Sequence, residues 1–197
     1  MGNELSSAYK LQRCASLHYP AINWLNSYSN YPDYLSEWWK EKDLNWEEIP
    51  DLDWYQCRIQ VNEILSKESE LKNITQLIGE ENLPEEQQLI LFIAKLIKNS
   101  FLIQNAFDDI DCFTEIEKLL SQIKIILLLN KEAKDLLKQG YIMEDIIKLN
   151  VINDIIRICR SIPNNEFLKI ESIKKELLNE FESIKLMFGG NRERLIQ

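Results

Sequence analysis

The side chains that could act as acids, bases or nucleophiles form no recognisable catalytic pattern in this sequence. The only histidine is His18, and no serine or carboxylate motif accompanies it as a catalytic triad would require. There is no GxxxxGK[ST] phosphate loop and no GxGxxG turn, so the backbone cradle and lysine that phosphoryl transfer needs are missing. We therefore predict no catalytic residue in this chain, and we interpret His18 as a hydrogen-bonded polar residue.

Metal chemistry finds no better support in the residue spacing. The four cysteines, Cys14, Cys57, Cys112 and Cys159, match no zinc-ligand spacing and form no CxxC pair. We interpret them as small apolar residues of a protein in a reducing compartment. The abundant carboxylates are interpreted as capping and solvating groups, so no metal site is predicted.

Composition and charge are typical of an acidic globular protein. The 197 residues are 45% hydrophobic and 28% charged, with a net charge of -9, and their number favours one domain or one domain with an appendage. Nucleic acid is not an expected partner, because phosphate binding needs clustered lysine and arginine. The longest apolar run is Leu89–Ala94, whereas a membrane span needs about 20 residues. We therefore expect no direct membrane insertion.

The spacing of apolar residues predicts an all-α bundle of about six helices, preceded by a short irregular aromatic segment. Apolar stripes at intervals of three and four residues predict long helices at Leu52–Ile78, Pro84–Ile103, Ile116–Gln139, Met143–Arg160 and Phe167–Phe188. Gly79, Gly140 and the pair Gly189–Gly190 are interpreted as helix ends. A shorter helix is predicted around Trp38 and Trp39. No segment alternates with a period of two, so no strand is predicted.

The irregular segment at Ser16–Ser29, SLHYPAINWLNSYS, carries three aromatic residues and a proline. Its sequence HYPAINWLNSYS resembles HFPAINWLxSYS of the catalytic A subunit of archaeal and vacuolar-type rotary ATPases. The likeness continues in register through EWW at Glu37–Trp39, KESELKNITQLIGEENLPEEQQLIL at Lys67–Leu91 and FLIQNAFDDIDCF at Phe101–Phe113. It runs from about Leu17 to at least Glu182.

The resemblance implies a division of the chain at residue 30. Residues 1–30 correspond to the last edge of the family's nucleotide-binding domain, and residues 31–197 to its C-terminal helical domain. It implies a proton- or sodium-translocating rotary ATPase, cytoplasmic and peripheral to a membrane complex, and two partners, the central-stalk shaft and the non-catalytic B subunit. The family's phosphate-loop lysine, catalytic glutamate and magnesium-binding hydroxyl have no counterpart here. ATP or ADP is therefore expected as a ligand in the full-length subunit only, and no cofactor is expected for the isolated chain.

By the same resemblance, an aromatic residue before a Pro-Ala pair lies against the adenine ring, and here it is Tyr19. Phe107 and Phe113 match a second aromatic wall, and Gln104 matches a polar residue beside the base. Stacking of an aromatic ring on a base is worth about 1–3 kcal/mol, and Pro20 would fix the backbone that presents Tyr19. The alternative, that these aromatic residues belong to an ordinary core, remains open.

The turn Leu77–Gln88 joins two predicted helices and carries Glu80, Glu81, Glu85 and Glu86. In the family that the chain resembles, this helix-turn-helix pushes against the central shaft. We therefore interpret the four glutamates as shaft-contact residues. The alternative is an ordinary solvated turn.

The chain departs from the family pattern at three places. It has CASL where basic residues precede the family's HFP, CFTEIEK in place of TYCPxxKQ, and LNVINDI in place of LPVREKI. These departures predict an altered pocket rim or a divergent copy. Two other functions stay open: a free-standing helical interaction module derived from this domain, without catalysis, and a helical enzyme with its own active site.

Overall fold

The computed structural model describes residues 54–103, 105 and 107–192, the last six of these by their backbone only. The six α-helices of this part of the chain are α1 (Trp54–Ile78), α2 (Glu85–Leu96), α3 (Ile116–Lys138), α4 (Met143–Ile147), α5 (Val151–Ser161) and α6 (Lys169–Arg192). Single 3-10 turns at Glu80–Asn82 and Asn164–Glu166, and a π turn at Ile97–Leu102, connect them. The predicted all-α bundle of about six helices is confirmed. The aromatic segment, the boundary at residue 30 and the helix around Trp38 lie outside the described residues.

Helix α3 lies at the centre of the bundle. It packs against α1, α2, the π turn, α5 and α6. Residues on different sides of α3 are all buried, among them Ile123, Ile125 and Ile126, as expected for a helix enclosed by its neighbours. Helices α1, α2, α5 and α6 each bury apolar residues against it, whereas α4 packs against α2. The positions of most connecting loops therefore depend on α3.

Helix α1 buries only part of its apolar stripe. Cys57, Val61, Ile64 and Leu71 are buried. The stripe continues in the sequence through Ile74 to Ile78, but the last turn of α1 is exposed. The helix therefore reaches beyond the core, and it does so at the end where the acidic turn begins.

The prediction of one helix over Met143–Arg160 is wrong. The chain turns at Lys148–Asn150 between α4 and α5, and the buried side chain of Leu149 lies in that turn. The first N–H of α5, on Val151, donates to Glu180 Oε2 of α6 at 3.4 Å. An acceptor 29 residues further along the chain thus stabilises a helix start, and the apolar period could not indicate it.

The predicted helix ends are confirmed at two glycines and wrong at the third place. Gly79 (φ 86°) follows α1 and Gly140 (φ 84°) follows α3, both in the left-handed region that glycine enters without strain. After α3 the N–H of Tyr141 donates to the carbonyl of Leu136 at 3.2 Å, which closes a Schellman turn. Helix α6, by contrast, continues through Gly189–Gly190 to Arg192. A glycine costs a helix only about 1 kcal/mol and does not by itself end it.

Two of the described cysteines lie in the core of the bundle. Cys57 and Cys159 are buried, as predicted for small apolar residues, whereas Cys112 is exposed because it lies in a surface loop. Within the described ranges, no helix combines the length and the apolar content needed to cross a bilayer.

Candidate functional site

Two of the predicted nucleotide-contact residues lie on one loop. Phe107 and Phe113 both belong to the segment Asn105–Thr114 between the π turn and α3, which we call the aromatic loop. The exposed fractions of the two rings are 99% and 67%, so neither is part of the hydrophobic core. Tyr19 and Gln104 lie outside the described residues, and their roles stay predictions.

Side chains within the aromatic loop bind its own backbone. Asp108 Oδ1 accepts from the N–H groups of Ile110 (2.9 Å) and Asp111 (3.0 Å). Asn105 Oδ1 accepts from the N–H of Phe107 at 3.0 Å, and Asp111 Oδ2 accepts from the N–H of Asn105 at 2.7 Å. These side-chain acceptors satisfy backbone N–H groups that have no partner in a regular helix or sheet. The loop that exposes Phe107 is therefore an ordered one.

The electrostatics of the loop follow from the same bonds. The N–H groups of Asp111 and Ile110 lower the pKa of Asp108 below its ordinary value, and the positive charges of Arg160 and Lys118 lower it further. Asp108 is thus a charged acceptor at neutral pH. Asp111 is buried, although it is an aspartate in a surface loop.

A buried lysine connects the start of α3 to α5. Lys118 is fully buried, and its Nζ donates to the carbonyl of Cys159 at 3.1 Å. Burial lowers the pKa of the Lys118 ammonium, while the negative charges of Asp111 and Asp108 oppose that shift. Burial likewise raises the pKa of the Cys159 thiol, which keeps the thiol protonated. The charge of Lys118 therefore lies in the core and close to the carboxylates of the aromatic loop.

The end of the aromatic loop is fixed by the connector between α5 and α6. Asn164 Nδ2 donates to the carbonyl of Phe113 at 3.1 Å. The N–H of Glu115 in turn donates to Asn164 Oδ1 at 3.3 Å. The Asn164 side chain thus forms hydrogen bonds with the backbone of both Phe113 and Glu115 in the turn that leads into α3. These bonds fix the backbone position of Phe113.

The start of the aromatic loop is fixed at the π turn. Gln122 of α3 donates from Nε2 to the carbonyl of Ser100, and Ser100 Oγ donates to the carbonyl of Leu96 at 2.6 Å. Lys98 forms an ion pair with Glu68 of α1 at 2.8 Å. π turns are often found at functional sites, and this one is bonded from both α1 and α3.

The predicted shaft-contact residues lie on the turn between α1 and α2, which we call the acidic tip (Glu80–Glu86). Glu80, Glu81 and Glu86 are exposed and Glu85 is half-buried. No ion pair with a described lysine or arginine engages any of them. Beside them Leu77 exposes 85% of its surface. With respect to the described residues, the tip therefore carries unpaired negative charge next to an apolar side chain.

The structure does not bring the two sets of candidate residues together. The acidic tip precedes α2, and the aromatic loop follows the π turn. The two sets therefore lie at opposite ends of the rod formed by α2 and the π turn. At 1.5 Å per residue that rod is roughly 25 Å long. Among the described residues, no cluster of three or more His, Cys, Asp or Glu side chains is placed to hold a metal ion.

Sequence reasoning missed the residues that support the aromatic loop. Lys118 and Gln122 continue the buried stripe of α3 at a spacing of four and are themselves buried. Polar residues in register with an apolar stripe were a readable signal of buried hydrogen bonds. Asn164 offered no such signal, because it lies far along the chain in a short connector.

Comparison with known proteins identifies the family. Residues 44–147, more than half of the chain, match the family described as C-terminal domain of V and A type ATP synthase. The chain belongs to this family. The matched range includes the acidic tip, α2 and the described part of the aromatic loop.

Individual relatives of this ATP synthase domain agree with the family match. The chain is 42% identical to the A subunit of the A-type ATP synthase of Methanopyrus kandleri over 168 residues, which is 85% of the chain and 27% of the relative. It is 39% identical to that of Metallosphaera sedula over 169 residues, again 85% and 27%. With Saccharolobus islandicus the identity is 36% over 175 residues, 87% and 28%. The chain thus spans about a quarter of the length of these relatives.

Proposed function

We propose that this domain serves a rotary ATPase at two places, as an aromatic contact for adenine and as a lever against the central shaft. The observation that carries the first role is the exposure of Phe107 on a loop that is itself extensively hydrogen-bonded. Exposing a phenylalanine in an ordered loop leaves a large apolar area in water, and a flat base covers such a ring well. Phe113, whose backbone is fixed through Asn164, is a second exposed aromatic residue of the same loop.

The nucleotide site of this proposal is shared with the remainder of the full-length protein. Tyr19 supplies the opposite ring and Gln104 a polar contact to the base. The groups that handle phosphate and magnesium do not occur in this sequence. ATP or ADP is therefore a ligand of the full-length protein, to which this domain adds part of the adenine pocket.

The lever role belongs to the acidic tip. Glu80, Glu81, Glu85 and Glu86 stand at the end of two helices, and most of their carboxylates face water. Exposed acids on a short turn, with no ion pair to a described lysine or arginine, suit a basic surface of a shaft. In this proposal the domain transfers torque between the shaft and the nucleotide site, so that ATP synthesis or hydrolysis is coupled to the transport of protons or sodium ions.

The partners and the location follow from the same proposal. The relatives are named as subunits of an ATP synthase, and we infer neighbours equivalent to the central stalk and the non-catalytic B subunit. The complex would lie on the cytoplasmic face of its membrane, with this domain peripheral to it. A free-standing interaction module is not favoured, because the likeness to the ATP synthase relatives extends over 85% of the chain.

Calorimetry on the full 197-residue chain tests the adenine contact first. One or two stacking contacts of about 1–3 kcal/mol each barely offset an association cost of about 4 kcal/mol or more. We expect ATP binding at about 1 mM or weaker, no phosphate release, and little effect of Tyr19→Ala. Micromolar binding or phosphate release would contradict the proposal and favour a helical enzyme with its own site.

An assembled A-type ATP synthase whose catalytic chain carries this domain provides the second test. There, Tyr19→Ala and Phe107→Ala should each raise the KM for ATP by about 5- to 150-fold, because one stacking contact of about 1–3 kcal/mol is lost. Phe107→Tyr keeps the ring and should stay near the parent value. Asp109→Ala alters an exposed neighbour and is the matched control. An unchanged KM in Phe107→Ala would exclude this ring from the adenine site.

A further inference from the structure

The end of the rod formed by α2 and the π turn is set by a side chain from another helix. The last carbonyls of a helix have no partner within it, and in a regular α-helix the Ser100 carbonyl would accept from the N–H of residue 104. Here Gln122 Nε2 binds that carbonyl. The Gln122 side chain is 1% exposed, so water cannot replace it.

The next amides of the loop are bound in the same way. Continuation of the helix would need the N–H groups of residues 105 and 107. The N–H of Asn105 instead donates to Asp111 Oδ2 and that of Phe107 to Asn105 Oδ1. Between them and the π turn, Ile103 has extended backbone angles (φ -84°, ψ 121°). Two side-chain acceptors and one side-chain donor thus bind the backbone N–H and carbonyl groups that a longer helix would use.

We propose that Gln122 and Asp111 are positioning residues that stop the helix before the aromatic loop, and that without them the helix winds forward into the loop. Wound forward by one turn, the loop would shift by about 5 Å along the axis, and Phe107 would leave its present position. Because the same rod begins at the acidic tip, this stop sets the distance between the tip and the aromatic rings. The importance of that distance for nucleotide rests on the proposed function, whereas the helix stop does not.

Hydrogen exchange on the full chain, read by mass spectrometry, tests the stop. Gln122→Met keeps the length and apolar stem of the side chain but removes the donor to Ser100. We expect peptides covering 108–113, whose loop hydrogen bonds the forward-wound helix would disrupt, to exchange roughly tenfold faster, while peptides of the acidic tip stay unchanged. Gln88→Met is the matched control, because Gln88 Nε2 donates to the carbonyl of Leu83 at the other end of α2 (2.7 Å). It should affect only the tip.

A proline at position 104 tests whether the loosened helix really winds forward. Proline has no N–H to offer the Ser100 carbonyl, and it favours extended angles at the preceding residue, which Ile103 already has. The double variant Gln122→Met, Gln104→Pro should therefore return exchange at 108–113 towards the parent rate. Unchanged exchange in Gln122→Met, or no recovery in the double variant, would overturn the proposal. If Gln122→Met fails to fold, Gln104→Pro alone decides: retained loop protection supports the stop, and its loss contradicts it.

Steady-state kinetics of Gln122→Met in the assembled ATP synthase separate this inference from the proposed function. Misplaced rings should raise the KM for ATP about five- to tenfold and leave kcat within about twofold. Faster loop exchange with an unchanged KM would leave the helix stop standing and remove the adenine contact. Unchanged loop exchange together with a raised KM would contradict the helix stop and leave the adenine contact standing.

Discussion

The acidic tip and the aromatic loop lie at the two ends of the same rod, and both are rich in carboxylates. The two sets of carboxylates differ in what they contact. In the aromatic loop, Asp108 and Asp111 turn inward and accept hydrogen bonds from backbone N–H groups. At the tip, Glu80, Glu81 and Glu86 point into water. A carboxylate bonded to its own backbone stabilises a loop, whereas one left in water adds charge to a surface.

The two regions also differ in the sequence separation between the residues that form their stabilising hydrogen bonds. The tip is closed by bonds between near neighbours, such as the N–H of Leu83 to the carbonyl of Glu80 at 3.2 Å and Asn82 Nδ2 to the carbonyl of Ile78 at 2.6 Å. The aromatic loop depends on Gln122 and Asn164, which are distant in sequence. Substitutions in the loop should therefore affect the stability of the fold more than substitutions in the tip.

The largest effect is expected at Asp111. Asp111→Ala leaves the N–H of Asn105 without its acceptor, and it removes a negative charge that favours the ammonium of Lys118. Hydrogen bonds to charged groups are worth about 1.5–3 kcal/mol, so the free energy of unfolding should fall by about that amount. Urea unfolding followed by circular dichroism measures it.

Asp109 provides the control for that substitution. It is the exposed neighbour in the same loop, and Asp109→Ala should stay within about 0.5 kcal/mol of the parent. Equal losses in the two variants would mean that loop charge in general, and not the bond of Asp111, stabilises the region.

The fold could be predicted where its signals are local. Gly79 marks the end of α1, Pro84 the start of α2 and Gly140 the end of α3, and the predicted bounds agree with the structure at each of these places. The predicted start of α1 at Leu52 lies outside the described residues, and the π turn at the end of the rod was not predicted. The break at Lys148–Asn150 was missed because it depends on the burial of Leu149 and on an acceptor from α6. The family's proline at the position of Asn150 was the one local hint.

The candidate site could be predicted only in part, for the same physical reason. An interruption of the helical period placed Phe107 and Phe113 in a loop, and a glycine, a proline and four glutamates placed the tip. The residues that order the loop act across the bundle, as Lys118 does towards Cys159 and Asn164 towards Phe113. Residue type and spacing could indicate that Lys118 is buried and hydrogen-bonded, but they could not identify its partner, and Asn164 carried no such signal.

A smaller effect is expected from reversing the charge of the whole tip. Exposed substitutions usually stay within about 0.5 kcal/mol each, and Glu85 and Glu86 also lose a favourable interaction with the start of α2. Changing Glu80, Glu81, Glu85 and Glu86 to lysine should therefore lower the free energy of unfolding by about 1 kcal/mol in total. From the proposed lever role, we expect the same change to weaken the coupling between ATP hydrolysis and ion transport in an assembled A-type ATP synthase.

A matched charge change elsewhere separates a local role of the tip from net charge. The control reverses four exposed glutamates on α1 and α6: Glu63, Glu70, Glu176 and Glu182. It should leave coupling intact. If the tip variant loses as much stability as Asp111→Ala, the tip is a structural element like the loop and the contrast between them fails.

The smallest effect is expected from the titration of Asp108. Its pKa is lowered in the folded chain by the N–H groups of Asp111 and Ile110, whereas in the unfolded chain it takes the ordinary value of about 3.9. The charged form is thus favoured by folding, and the resulting stability is fully present above about pH 4. It is lost as the pH falls below about 3.9 and through the lowered pKa of the folded state.

Asp108→Asn isolates this contribution, because the amide oxygen can still accept from both N–H groups but carries no charge to titrate. We expect the parent to be slightly more stable than the variant at neutral pH and the two to converge as the pH falls from about 5 to about 2. Urea unfolding at several pH values measures the difference, in which the other carboxylates cancel. A difference that stays constant with pH would show that geometry alone, and not the charge of Asp108, orders the aromatic loop.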